Sequence, residues 1–233
     1  MTYEFSENEI NEVHRKFPKF KLIQKKVWEG VIDFDKTYRG YRIIDSYQIR
    51  IIIPDNYPDS IPLVQEIGGK AKAIVEKYGI KDPRDFHWNS GNGTACLCVK
   101  QQEKIRFPPG STLVYFIENL VILYFYGLSY FNDHKKWPWR EYSHGGLGIL
   151  EYHAENPVEQ TKDTLETLSV VFRDDVNWKK YRKHIQNPTK NKTCICGSGE
   201  LFTQCHNLAW QGLMRLHDDI HRLKLNAYKL FSK

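Results

Sequence analysis

The run Cys194-Ile195-Cys196-Gly197-Ser198-Gly199, followed after five further residues by Cys205-His206, constrains this chain more than any other stretch. Two thiolates one residue apart can meet a single ion only around a tight turn, and Gly197 and Gly199 give the backbone freedom for one. Cys205 and His206 are neighbours, so they converge on the same ion only at a turn or a helix start. Three sulfurs and one imidazole close a tetrahedron around zinc and leave no position open for a substrate. The expected ligands Cys194, Cys196, Cys205 and His206 therefore make a structural zinc site. In isolated zinc-finger peptides such binding is worth about 10–16 kcal/mol, and that energy is folding energy.

The other cysteines, Cys96 and Cys98, form a second cluster. An odd total of five, grouped in this way, is not a secreted disulfide framework. The opening Met1-Thr2-Tyr3-Glu4-Phe5 carries no basic-then-apolar signal, so a cytoplasmic protein is expected. The longest apolar stretch, Thr112 to Phe131, holds Glu118 and Asn119 in its first half. A membrane span tolerates that pair poorly, so a buried core helix is expected and no membrane partner. The formal charge of +6 permits an acidic partner or nucleic acid without requiring either.

Periodicity gives an α+β chain. Ser6 and Glu9 form a capping box ahead of Ile10, Val13 and Phe17 at helical spacing. Lys21 to Phe34 reads as one strand, Tyr38-Arg39-Gly40-Tyr41 as a turn, Tyr47 to Ile53 as a second strand and Ile61 to Ile67 as a third. Helices are expected over Lys70 to Tyr78, Thr112 to Tyr130, Leu147 to Glu155, Thr161 to Phe172, Val176 to His184 and Leu208 to Phe231. The polar, proline-bearing stretch 187–192 reads as a linker, which sets a domain over 1–186 and a zinc-binding tail with its own helix over 187–233.

Between Asp82 and Cys98 the sequence loses all periodicity and fills with Asp, Asn, Gly, His and Trp, the composition of a loop that carries chemistry. Within it, His87-Trp88-Asn89 precedes Gly93-Thr94-Ala95-Cys96-Leu97. Cysteine suits acyl transfer because its thiolate reacts near neutral pH and a thioester keeps its energy. A side-chain amide such as that of Asn89 could donate to a tetrahedral oxyanion.

Two resemblances follow from these residues. The spacing from Cys194 to His206 resembles the SEC-C motif, the zinc knuckle at the tail of the SecA preprotein translocase and of many bacterial proteins; all four ligand positions match, and Asn207 stands where a Gly commonly follows. That resemblance implies a docking surface for another protein. The pieces Trp28-Glu29-Gly30, Pro54 to Pro62, His87-Trp88-Asn89 and Gly93 to Leu97 occur in the order found in E2 (ubiquitin-conjugating) enzymes, and the likeness covers about residues 5 to 155. Trp88 stands where that family has Pro, and Cys98 where Asp or Asn is common.

The chain looks most like the prokaryotic E2-like proteins found beside E1-like activators in antiphage and ubiquitin-like operons. The resemblance implies an E2-like antiparallel meander packed by helices, a thioester on Cys96, Asn89 at the oxyanion and His87 holding the loop. The partners it implies are an E1-like enzyme, the ubiquitin-like or other activated protein it donates, and a protein target. Three rivals stay open: a binding module that keeps the fold without the reaction, a thiol hydrolase pairing Cys96 with His87 or His144, and a nucleic-acid binder led by the basic segment near Lys180.

Smaller features receive plainer readings. Cys98 alternates with Cys96 and is expected in the core. Ser143 is expected to cap a helix, with His144 beside it. The basic run Lys179-Lys180-Tyr181-Arg182-Lys183-His184 could bind phosphate, but a solvated helix face is the commoner outcome for such a run, which makes nucleic acid the less favoured partner.

Overall fold

Alternating apolar residues build the sheet. In the computed structural model, which describes residues 3–80, 86–89, 93–156, 161–173 and 177–226, β1 (Phe20–Gln24), β2 (Val27–Tyr38), β3 (Tyr41–Ile52) and β4 (Leu63–Glu66) pair in that order, all antiparallel. β2 and β3 stay in register from Val27 opposite Ile52 to Tyr38 opposite Tyr41. Arg39 and Gly40, both at positive φ (48° and 81°), close that hairpin in the two-residue turn that suits strand twist. Trp28, Ile32 and Phe34 of β2 share the buried face with Ile43, Tyr47, Ile49 and Ile51 of β3 and Val64 of β4. The chain is thus α+β, as expected, but Lys21 to Phe34 is two strands of a hairpin; the Lys25-Lys26 turn between them has no Gly or Pro to announce it.

Helices cover the buried face. The helix α1 (Glu7–Lys16) starts in the anticipated capping box, Ser6 accepting the Glu9 N–H at 3.3 Å while the Glu9 carboxylate accepts the Ser6 N–H at 2.9 Å. Then come α2 (Lys70–Tyr78), the single turn α3 (Glu103–Arg106), α4 (Leu113–Phe116) and α5 (Ile122–His134). A π turn over Ile117–Val121 joins the last two, so Leu113–His134 is one helix, entered through the Thr112 hydroxyl, which accepts the Tyr115 N–H at 3.1 Å. By length and composition this helix could cross a membrane, with a mean hydropathy of 1.4 over its apolar window, but 67% of that window is buried inside the protein. Phe116, Ile117, Val121, Phe125 and Leu128 belong to the same core as the sheet residues.

Gly127 is where this helix admits the Trp137 and Trp139 rings. A Cβ there would stand 2.5 Å from one ring and 2.9 Å from the other. Gly127→Ala is expected to destabilise the protein by about 1–3 kcal/mol through overpacking, measurable as a lower urea midpoint at unchanged slope.

The remaining helices are α6 (Gly145–Glu155), α7 (Thr161–Arg173), α8 (Trp178–Gln186), the single turn α9 (Phe202–Cys205) and α10 (Asn207–Arg222). The chain divides into two compact units, one formed by 1–98 with 102–140, the other by 99–101 with 141–233. The division therefore does not fall at 186/187. Tyr181 and Ile185 of α8 and Leu147 and Leu150 of α6 share one apolar cluster with Ile195, Phe202, Trp210 and Leu213, so the polar 187–192 stretch is a loop inside the second unit. The cap of α6 is also a correction. His144 is its N-cap residue, and the Ser143 hydroxyl and N–H donate to Glu151 at 2.8 and 2.6 Å. Of the final helix expected to run to Phe231, α10 accounts for the part up to Arg222, and 227–233 lies outside the described residues.

Inside this unit His153 of α6 is buried and bonded through Nε2 to Asp219 of α10 at 3.0 Å, while Arg222 donates to the other Asp219 oxygen at 2.6 Å. Burial pushes the His153 pKa below the ordinary imidazole value, against the opposing pull of Asp219. The unfolded chain takes up a proton near pH 6.5 that the folded chain refuses. The stability this group confers is thus present above about pH 6.5 and falls as the pH drops toward the folded pKa. The fall in melting temperature from neutral to mildly acid pH should be smaller in His153→Asn than in the parent protein.

Candidate functional site

Two clusters of candidate residues lie in different units. The first is the Cys96 loop. Phe86 anchors it, fully buried with its ring 5.2 Å from Phe131 and 5.9 Å from Trp137. The chain then forms a short antiparallel ladder with itself. Trp88 bridges Ala95, the Asn89 N–H donates to the Thr94 carbonyl at 2.8 Å, and the Cys96 N–H donates to the His87 carbonyl at 2.7 Å. This ladder is fastened to the sheet edge, because Gln65 bridges Thr94 and the Ala95 N–H donates to the Val64 carbonyl at 2.7 Å. His87, Asn89 and Cys96 are thus brought together on paired backbone; residues 90–92 lie outside the described residues.

Cys96 is half-buried, and its Sγ lies 3.9 Å from the Cys98 carbonyl. Asn89 is exposed, and its amide donates to the Thr94 hydroxyl at 2.9 Å. The His87 backbone is left-handed, at φ 52°, and its ring meets Trp137 edge-on at 5.0 Å. Cys98 is also half-buried and so is not the core residue that alternation implied. Sequence reasoning missed Tyr124, from α5. Its hydroxyl donates to the Phe86 carbonyl at 3.5 Å, and its pKa is pushed up by burial first and by the nearby Cys96 second. Nothing in an apolar helical stretch distinguishes such a tyrosine from ordinary core.

The second cluster is the turn from Thr193 to His206. Thr193 bridges Leu201, the Cys194 N–H donates to the Glu200 carbonyl at 2.7 Å, and Gly197 and Gly199 stand at φ 88° and 82°, where a side chain would be strained. Residue His206 is both the C-cap of α9 and the N-cap of α10, which is how adjacent Cys205 and His206 turn toward one point. Phe202, fully buried, packs its ring 5.7 Å from both His184 and Trp210 and holds the turn to the unit.

The donor atoms of Cys194, Cys196, Cys205 and His206 all lie within 4.8 Å of one another. Three separations are 3.5 Å (Cys196 to Cys205 sulfur), 3.2 Å (Cys194 sulfur to His206 Nδ1) and 3.1 Å (Cys205 sulfur to the same nitrogen). Sulfurs bonded tetrahedrally to zinc at about 2.3 Å stand about 3.8 Å apart, so the set is close to the required size. The four residues can hold a metal ion. Among the described residues this is the one convergent group of His, Cys, Asp and Glu donors.

Burial pushes the Cys194 thiol up to about 12. Desolvation raises the Cys196 thiol, but hydrogen bonds involving Ser198, Cys194 and Cys205 together bring it down to about 7. Ser198 escaped sequence reasoning. Its N–H donates to Cys196 Sγ at 3.4 Å and its hydroxyl lies 3.2 Å from Cys205 Sγ. Its place between the two glycines was the available signal. No family model matches this chain, and no curated protein or solved structure matches it either.

Proposed function

We propose that this protein is an E2-like carrier that accepts an activated ubiquitin-like or other protein on Cys96 and passes it to a target amine. One observation carries the reading: a half-buried cysteine on a loop pinned to the sheet edge, backbone-paired to the His87 segment and two ladder positions from Asn89. A helix, a four-stranded antiparallel meander, this loop and a long core helix follow in the order that the E2 resemblance implies. In the forward step the Cys96 thiolate attacks the carbonyl of the incoming thioester. A new C–S bond forms, the tetrahedral oxyanion collapses, and the donor's thiolate leaves. A lysine amine then attacks the Cys96 thioester, the C–N bond forms as the C–S bond breaks, and the ammonium proton passes to solvent.

Asn89 is the candidate oxyanion donor, held in place by Thr94 until the substrate carbonyl arrives. His87 has its ring packed on Trp137, which suits bracing better than the mobile proton transfer a thiol hydrolase needs. We further propose that the metal of the Thr193–His206 turn is zinc, held by the Cys₃His set as in a SEC-C knuckle, with no part in the reaction. A cytoplasmic setting and a role in defence against phage belong to the same reading.

The deciding experiment measures intact mass after incubation with an E1-like enzyme, a candidate ubiquitin-like protein and ATP. A reductant-sensitive adduct supports the carrier reading. Absence of any adduct, while the same E1-like enzyme charges a control E2, overturns it in favour of a binding module. Cleavage of a conjugate without E1 or ATP would mark a hydrolase instead.

A further inference from the structure

From Val176 to Gly199 the chain carries Lys179, Lys180, Arg182, Lys183, Lys190 and Lys192 and no Asp or Glu. By composition this is a solvated helix face; its arrangement in the fold says more. The helix α8 turns Tyr181, His184 and Ile185 into the core and leaves Lys179, Lys180 and Lys183 exposed. The following loop folds back on the helix end. There Lys192 Nζ donates to the carbonyls of Lys183 and Asn187 at 3.0 and 2.6 Å, which sets its charge beside the last turn of α8. Among the described residues no carboxylate pairs with Lys179, Lys183 or the exposed Lys190.

At the start of the same helix the half-exposed Trp178 ring has the Lys179 ammonium 5.7 Å from its centroid. His184, bonded to the Lys180 and Thr193 carbonyls at 2.7 and 3.3 Å, ties α8 to the Cys-His turn and so fixes the basic face on a rigid support.

What such a face fits follows from what it lacks. Protein-docking patches have an apolar centre of aromatic and aliphatic side chains. The exposed large hydrophobic residues among those described are Ile23, Tyr41, Ile44, Leu63 and Ile105, and all five belong to the other unit. Lysine point charges beside one aromatic ring, without an apolar centre, suit a phosphodiester backbone with an unpaired base to stack. We propose that this face binds single-stranded nucleic acid independently of sequence, with Lys179 and Lys183 (four residues apart on α8), Lys190 and Lys192 along the backbone and Trp178, beside Lys179, against a base. This takes up the nucleic-acid rival that the sequence left open for the basic run, in place of the solvated helix face. It stands apart from the chemistry proposed at Cys96.

The test is fluorescence anisotropy of the full-length, metal-loaded protein with labelled single-stranded RNA and DNA of roughly 15 nucleotides, the matching duplex, and anionic phospholipid vesicles as a competitor. Four backbone contacts predict a log–log salt slope of about −3, or about a 50-fold loss of affinity from about 50 to about 200 mM salt. Lys179→Glu with Lys183→Glu should weaken binding at least about tenfold and flatten the slope by about 1.4. Trp178→Ala should weaken single strands about tenfold and leave the duplex unchanged.

Lys21→Glu with Lys104→Glu, exposed positions in the other unit, makes the same charge change and should bind like the parent. Circular dichroism and metal content establish that each variant is folded. Single-stranded RNA or DNA binding with this pattern supports the proposal. It is overturned by absence of binding, by equal loss in the Lys21/Lys104 control, by a preference for the duplex with no Trp178 effect, or by vesicles that displace the strand at low lipid.

Discussion

Cys194→Ser is expected to cost the protein its metal and at least about 4 kcal/mol of stability, the scale reserved for changes that remove a metal or a buried network. Cys194 is the buried member of the donor set, and its sulfur lies 3.2 Å from His206 Nδ1. Ile195 beside it is fully buried in the cluster that also holds Tyr181, Phe202 and Leu213, so a turn that opens at Cys194 withdraws apolar surface from the whole second unit. Elemental analysis of the purified protein should give one zinc per chain in the parent and almost none in the variant. Chelation of the parent should reproduce the variant's lower melting temperature, and Cys98→Ser should match the parent in both respects. A Cys194→Ser chain that keeps stoichiometric zinc and the parent's melting temperature would remove the metal site from this account.

The second large effect concerns the thiol. Cys96→Ala should abolish the adduct formed with an E1-like enzyme and ATP, whereas Cys98→Ala should keep it, because Cys98 meets the Cys96 sulfur through a backbone carbonyl that alanine retains. Cys96→Ser should yield an adduct that survives reductant and is cleaved by hydroxide, the signature of an ester in place of a thioester. Asn89→Ala should slow discharge to lysine about 100- to 1,000-fold, the usual cost of removing one oxyanion donor. An adduct on Cys98, or one retained in Cys96→Ala, would show that the wrong cysteine has been assigned.

Much of this architecture was legible where local chemistry decides the outcome. The helix over Lys70–Tyr78 lies between Gly69 and Gly79, both left-handed, and its ends match the expectation. The capping box at Ser6 and the spacing from Cys194 to His206 are short-range patterns whose geometry follows from the residues themselves. What depended on distant packing was not legible. The β1–β2 turn uses two lysines, so no turn residue broke the apparent strand. The start of β3 was hidden because Ile44, at 70% exposure, breaks the alternation a half-buried strand should show.

The linker-like composition of 187–192 suggested a boundary, yet Lys192 and His184 bond across it and make it interior to a unit. Ser143 looked like a cap from its neighbours alone, but Glu151, eight residues on, takes its hydroxyl and its N–H. At the Cys96 loop the residue types were visible in sequence. The pairing of that loop with itself and with the edge of β4, and Tyr124 at its base, came only from the fold.

The path of the chain between the two units has a practical meaning for anyone who would cut the molecule up. Residues 99–101, which directly follow Cys98, belong to the helical unit, with Val99 packed on its apolar cluster and Gln101 donating to Thr167 at 3.2 Å. The polypeptide therefore passes from the first unit into the second, returns at Gln102, and crosses again after Arg140. Neither unit is a contiguous gene segment. A fragment ending at Arg140 carries a three-residue plug with no socket, and a fragment starting at Glu141 has the socket without its plug. A melting or loading measurement on either fragment would therefore report on a unit whose packing is incomplete.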